Sequence, residues 1–284
     1  MKNFLLAIRP KTLLAGFFPP IVSFFYAHLT HGSYETLMLT FCLIGALSIQ
    51  IATNLFNDLI DFKKGADNER VGPVRVTTAG LVKPQTIKLW AFSFVGLAAV
   101  VGFPIIQRGG VPFLLLGLIS LYLTYGYTGG KISLAYRGLG ELFVFLFFGL
   151  FSTIGSYYLY TLSVDFKIII LGAVFGCLTT TFIMVNNLRD RETDLKVEKK
   201  TLATKLSDMQ YRLLTIFSAL APYLLLHFFR ETSGIYWIFL SLAPALKLAM
   251  IIYRESGERL NLGLKWSGIH LSLFSFILSY IFNQ

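Results

Sequence analysis

The chain has 284 residues, a formal net charge of +10, and 55% hydrophobic against 14% charged residues; its mean hydropathy is +0.66. A soluble domain carries about 25% charged residues, and a disordered chain combines low hydrophobicity with high charge. Both classes are excluded, which leaves a polytopic, all-α membrane protein.

The N-terminal stretch Met1–Pro10 has a short apolar patch broken by Arg9 and Pro10. It lacks the long apolar region and small-residue cleavage site of a signal peptide, so the first span is expected to act as an uncleaved targeting signal. A bilayer core of about 30 Å takes roughly 20 apolar helical residues. Runs of that length fall at 12–29, 36–56, 89–107, 111–127, 139–160, 167–187, 210–229, 234–253 and 264–282, with Pro112 and Gly117 interrupting the fourth. Nine transmembrane helices bundled around a central cavity, forming one domain over 1–284, are therefore expected. With a cytoplasmic N-terminus, only Arg108, Lys167 and Arg230 of the 25 Lys and Arg residues lie outside. The positive-inside rule favours that orientation.

Two inner connections are long, about 57–88 and 188–209, and each opens on an Asn/Asp cluster. The first reads Asn57-Asp58-Leu59-Ile60-Asp61, continuing to Asp67, Arg70 and Arg75. The second reads Asn186-Asn187-Leu188-Arg189-Asp190, continuing to Asp194, Lys199 and Lys200. Asp58 and Asp61 are three apart, and Asp190 and Asp194 four apart. If helices continue through them, each pair shares a face and repels unless a cation bridges it. Mg²⁺ takes oxygen ligands and is commonly held by one or two carboxylates plus substrate phosphates. Asn57, Asp58, Asp61, Asp67, Asp190 and Asp194 are the candidate metal ligands, and Asp58, Asp61, Asp190 and Asp194 the candidate catalytic set. Arg70, Arg75, Arg189, Lys199 and Lys200 can neutralise phosphate by charge-assisted hydrogen bonds. An amphiphile with its diphosphate at the rim and its hydrocarbon tail inside the bundle fits this pattern. Solvated charges at helix ends are the plainer reading. Two matched clusters on one side of the membrane weigh against it, because polar groups at membrane level are functional by default.

Other residues carry less. Cys42 and Cys177 lie in apolar runs and read as small core residues, not a disulfide. The four histidines show no zinc-ligand spacing. Tyr157, Tyr158 and Tyr160, near the outer end of a span, read as an aromatic belt. Glu141 reads either as a helix N-terminal acid or as a contact to a ligand. Gly129-Gly130 reads as a turn, since no P-loop pattern surrounds it.

These segments resemble the UbiA superfamily of intramembrane aromatic prenyltransferases, and within it the 1,4-dihydroxy-2-naphthoate polyprenyltransferase branch. The first motif resembles N-D-x-x-D-x-x-x-G-x-D followed by R-x-G-P-x-R, here Asn57-Asp58, Asp61, Gly65, Asp67 and Arg70-Val71-Gly72-Pro73-Val74-Arg75. The second resembles N-N-x-R-D-x-x-x-D with a downstream K-x-T-L-A, here Asn186-Asn187, Arg189-Asp190, Asp194, Lys199 and Thr201-Leu202-Ala203. Tyr127-Thr128-Gly129-Gly130, Tyr136, Gly138-Leu139-Gly140-Glu141 and Arg9-Pro10-Lys11-Thr12-Leu13 match as well. Glu198 departs from the branch's usual Gly, and Lys131 from its usual Pro. The resemblance implies Mg²⁺, two ions bridging the diphosphate of a polyprenyl donor, and a naphthoate acceptor. It also implies an active-site rim facing the cytoplasm of a bacterial inner membrane. Arg9, Lys11, Lys131 and Asn187 join the expected substrate-binding residues. The reaction it implies is prenyl transfer with loss of CO₂, giving demethylmenaquinone. Membrane lipid is an expected partner and nucleic acid is not. Within the same class, 4-hydroxybenzoate, a dihydroxy-6-naphthoate and a haem or chlorin ring are rival acceptors. A transporter or cation channel predicts acids at midplane depth in several spans, whereas here they cluster at one rim.

Overall fold

The computed structural model describes residues 2–32, 34–65, 72, 74–130, 133–196 and 199–284. Among these there is no strand. The helices run in chain order as α1 (Lys2–Ile8), α2 (Pro10–His31), α3 (Thr36–Lys64), α4 (Pro84–Gly109), α5 (Val111–Gly126), α6 (Gly140–Thr161), α7 (Phe166–Arg189), α8 (Arg191–Lys196), α9 (Leu202–Lys205), α10 (Asp208–Phe229), α11 (Ile235–Arg254) and α12 (Gly257–Phe282). Among the described residues, eight of these helices are long and apolar enough to cross a membrane, and α5 is a shorter apolar helix at the position of the fourth expected span.

The ends of α3 and α7 differ from expectation, and the difference builds the site. Helix α3 does not stop at residue 56. Its 29 residues make a rod of about 44 Å at 1.5 Å per residue, well beyond a core of about 30 Å. The extra turns hold because Leu55, Phe56, Leu59 and Ile60 are buried against Ala7 and Ile8 of α1, Val76, and Ile87 and Ala91 of α4. Gly65, at φ 68°, closes the helix by donating its N–H to the carbonyls of Asp61 and Phe62; such a left-handed cap suits glycine. Helix α7 runs to Arg189, and Asp190 is its C-cap. Asp194 lies on the separate helix α8 but donates its N–H to the Asp190 carbonyl at 2.8 Å. The pair thus keeps one-turn spacing across a break in the helix.

Three apolar clusters surround the site. One joins α1, α3 and α4. A second joins α7, α9, α10 and α11 through Leu188, Ala203, Tyr211, Leu248 and Ile252. The third and largest fills the far end of the bundle. Tyr157 and Tyr160 belong to that core: they are fully buried, and the Tyr157 hydroxyl donates to Asp165 Oδ2 at 3.0 Å. The expected belt role fails for these two because their ends of α2, α6 and α7 pack against one another and not against lipid.

Helix α6 contains a π-helical stretch, Phe145–Phe151, and packs closely on α7. A Cβ on Gly149 would stand 2.2 Å from Gly176 Cα, so the two backbones touch where neither residue has a side chain. Gly149→Ala is expected to destabilise the fold by about 1–3 kcal/mol, the usual cost of overpacking. A lower thermal unfolding midpoint in detergent would show it; an unchanged midpoint would mean that the helices separate freely.

Candidate functional site

The two Asn/Asp motifs face each other across a cavity of about 440 Å³. From the first motif, Asn57, Asp61 and Arg75 line it; from the second, Asn186, Asn187, Asp190 and Lys199. Arg9 and Lys11 close one side. Apolar walls come from Ala15, Phe148, Phe182, Ile183 and Leu264. The cavity is therefore polar at one end and apolar beyond it.

Asp61, Asp190 and Asp194 each have a basic counter-group. Asp61 is buried, accepting from the Tyr136 hydroxyl at 3.1 Å on Oδ1 and from Arg75 Nη2 at 3.4 Å on Oδ2. Asp190 takes both arms of Arg189, each at 2.7 Å. Asp194 Oδ1 lies 3.3 Å from Lys199 Nζ, and its Oδ2 is buried with no hydrogen-bond partner among the described residues. Burial pushes the Asp194 carboxyl up to about 6; Lys199 opposes the rise, while the negative charges of Asp190 and Asp61 add to it. Asp61 and Asp190 line the same cavity, which brings acids of the two motifs together.

Tyr136 joins the halves. Lys64, from the first motif, sits 3.8 Å above the Tyr136 ring centroid, and Lys199, from the second, 5.6 Å from it. Its hydroxyl holds Asp61. A ring taking two ammonium groups while its hydroxyl binds a carboxylate links the two motifs electrostatically. Neither Tyr136 nor Lys64 stood among the expected site residues. The available signals were that Lys64 follows Asp61 by three positions and that Tyr136 belongs to the middle motif.

The structure relocates several expected residues. Asp58 accepts from the backbone N–H groups of Val76 and Thr77 at 3.2 and 3.3 Å and is absent from the cavity wall. Its carboxylate fastens the loop that carries Arg75, which differs from the expected metal contact. Arg189 is buried and spent on Asp190 and on Asn261 Oδ1 at 2.9 Å. Lys200 is exposed and does not line the cavity. Asn187 lines the cavity but donates to Glu141 Oε1 at 2.8 Å. Asp67, Arg70, Lys131 and Glu198 lie outside the described residues.

Arg9 is positioned by strain. A residue before proline avoids the right-handed helical region, and Arg9 adopts φ 53°, unusual for a residue with a side chain. Asn54 stabilises the turn, donating to the Ile8 carbonyl at 2.9 Å and to Thr12 Oγ1 at 3.0 Å.

Hard oxygen donors from both motifs, one of them a buried carboxylate oxygen without a partner, suit a hard divalent cation. Among the described residues no three His, Cys, Asp or Glu side chains already converge on one point. The carboxylates instead stand in pairs with basic groups.

The profile of the UbiA prenyltransferase family matches residues 17–278. The chain belongs to that family. It is an integral, multi-pass membrane prenyltransferase. Among its UbiA relatives, the 1,4-dihydroxy-2-naphthoate octaprenyltransferase of Escherichia coli K12 is 33% identical over 260 residues, covering 88% of this chain and 84% of that one. The enzyme of the same name from Mycobacterium tuberculosis is 32% identical over 208 residues, covering 72% and 70%. In fold, the chain resembles a UbiA homolog from Archaeoglobus fulgidus bound to GPP and Mg²⁺, at a TM-score of 0.68 and 18% identity, covering 99% of this chain and 100% of that one.

Asp58→Ala leaves two buried amides without an acceptor and should cost about 1–3 kcal/mol of stability, with Asp58→Asn recovering part of it. Chemical unfolding of the purified variants would measure this. A fully stable Asp58→Ala protein would deny the loop-fastening role.

Proposed function

We propose that this chain transfers a polyprenyl group from its diphosphate to 1,4-dihydroxy-2-naphthoate, with loss of CO₂ and release of diphosphate, giving demethylmenaquinone in its dihydroxy (quinol) form. The observation that carries the reading is one cavity bounded at its polar end by both motifs and apolar beyond. The octaprenyltransferase names of relatives at 32 and 33% identity support the naphthoate acceptor. The GPP and Mg²⁺ bound to the archaeal homolog support a metal-diphosphate head site.

Asn57, Asp61, Asp190 and Asp194 would hold Mg²⁺, two ions in the full reading, with Asn186 beside them. Bound there, the metal would supply Lewis-acid neutralisation of the diphosphate leaving group. Arg75 and Lys199, paired here with Asp61 and Asp194, would be free to bind phosphate oxygens if those carboxylates held the cation. Arg9, Lys11 and Lys64 add charge at the same end. Outside the described residues, Asp67, Arg70 and Lys131 complete the set that the motifs imply. The prenyl tail lies along Ala15, Phe148, Phe182 and Leu264. Departure of the diphosphate leaves an allylic cation that the faces of Phe143 and Phe148 can stabilise, in a pocket whose walls exclude water. The basic end of the bundle would face the cytoplasm of a bacterial inner membrane, an orientation that the distribution of Lys and Arg supports.

Asp61→Ala and Asp190→Ala should each abolish incorporation of labelled prenyl diphosphate into lipid in the presence of Mg²⁺. Near-wild-type incorporation by both would sink the assignment. Acid should weaken the site. The raised Asp194 carboxyl takes up a proton as pH falls through about 6, and a protonated acid is a poor ligand. Apparent Mg²⁺ affinity therefore declines below that pH. Lys199→Ala removes the group that lowers this value, so the decline should begin at higher pH. A Mg²⁺ titration of activity from pH 5 to 8 reads both effects.

A further inference from the structure

Glu141 is a second acidic feature of the cavity, away from the paired motifs. It opens α6 immediately after Gly138-Leu139-Gly140, lines the cavity and is 6% exposed. Its two oxygens have different surroundings. Oε1 accepts from Asn187 Nδ2 at 2.8 Å and from the Tyr211 hydroxyl at 2.7 Å. Oε2 is buried and has no hydrogen-bond partner among the described residues. No basic side chain forms an ion pair with it among the described residues, in contrast to Asp61, Asp190 and Asp194.

A buried carboxylate oxygen without a donor is costly. Buried polar atoms left in this way call for an explanation in terms of function or an absent partner. The geometry specifies the partner. Two neutral donors from α7 and α10 hold the carboxylate through Oε1, on a residue that lines the cavity. What meets Oε2 must be a hydrogen-bond donor. The nearby cavity wall is apolar and partly aromatic, with Phe143, Val144 and Ile183 lining it and Phe143 stacked on Phe147 at 4.6 Å. A flat apolar molecule carrying a hydroxyl group fits such a wall. A metal fits it poorly, because Asn187 and Tyr211 present N–H and O–H donors at this carboxylate and not further oxygen ligands.

We propose that Glu141 Oε2 binds a phenolic hydroxyl of the aromatic acceptor and takes its proton as the ring attacks the prenyl group. This rests on the prenyl-transfer reading above. In that step the acceptor O–H bond breaks and its proton passes to Oε2. The electron pair released into the ring forms the new carbon–carbon bond to the allylic carbon. The allylic carbon–oxygen bond breaks, and its electron pair leaves with the diphosphate. Deprotonation makes the ring a better nucleophile at the moment the cation develops, so the two ends of the cavity act together. Asn187 and Tyr211 are then positioning residues, which gives Asn187 a role at the acceptor without direct contact. The structural alternative is that Glu141 is only a clip joining α6, α7 and α10.

The test uses the full chain in detergent with Mg²⁺, geranyl diphosphate and three acceptors: 1,4-dihydroxy-2-naphthoate and its two mono-O-methyl ethers. Glu141→Gln keeps the shape and can still accept from Asn187 and Tyr211, but presents an N–H₂ where Oε2 stood. Its kcat/KM for the dihydroxy acceptor should fall by about 10²–10⁴-fold, the usual contribution of a positioned base. Its affinity for a non-hydrolysable geranyl diphosphate analogue, measured by calorimetry with Mg²⁺, should stay near wild type. The wild-type preference for hydroxyl over methoxyl at the contacted position should vanish in the variant. Tyr211→Phe, which loosens the carboxylate without removing it, should fall between the two. Three results overturn the inference. One is Glu141→Gln activity within about threefold of wild type, below any effect a positioned base would leave. Another is a preserved preference for hydroxyl. The third is an equal loss on every acceptor together with a lower unfolding midpoint, which is the signature of a clip. If the wild-type protein prenylates no hydroxyarene while still binding the diphosphate, the transfer reading fails and this inference fails with it.

Discussion

Carboxylates at the edge of an apolar bundle must be compensated, and that requirement shapes this molecule's working end. Removing a charge from water costs several kcal/mol even after relaxation. Here the compensation is local. Asp61 is met by Arg75, Asp190 by Arg189 and Asp194 by Lys199, each partner drawn from the same motif. Such pairs add little net stability. They do hold the acids in place, with basic groups beside them.

Because compensation stays within each motif, the two halves rest on separate foundations. The first motif stands on the cluster formed with α1 and α4, the second on the cluster formed with α10 and α11. The cavity is the space between two such platforms, and Tyr136 spans it with lysines from both sides. Asp58 shows how thoroughly the architecture is built around charge. An acid inside a metal-type motif serves here as the anchor of a loop, holding two amides so that Arg75 reaches Asp61.

The succession of helices was legible because it follows from run length and hydropathy, quantities that the bilayer imposes on every span. Where α3 ends was not legible. Residues 57–64 look polar in sequence, and only the burial of Leu59 and Ile60 against α1 and α4 carries the helix onward. The polar residues of the site were visible as a group, since clustered Asn and Asp stand out in so apolar a chain. Their division of labour was not. Asp58 and Asp61 are alike in type and near in sequence, yet one faces a loop and the other a cavity. Tyr136 and Glu141 were visible in a motif without an assignable task, because their partners are distant in sequence: Asp61 for one, Asn187 and Tyr211 for the other.

The π-helical stretch of α6 has a consequence for how this helix tolerates change in length. A π turn holds one residue more than an α turn, so Phe145–Phe151 works as a fixed phase offset along the rod. Before it, Glu141 and Phe143 address the cavity; within it, Gly149 meets Gly176. Each residue turns an α-helix by about 100°. Deleting one residue from 145–148 would change the phase between those faces and force a choice between them, either swinging the carboxylate from its donors or driving a side chain into α7. The helix thus carries a reading frame of its own, in which one residue more or less matters more than which residue it is.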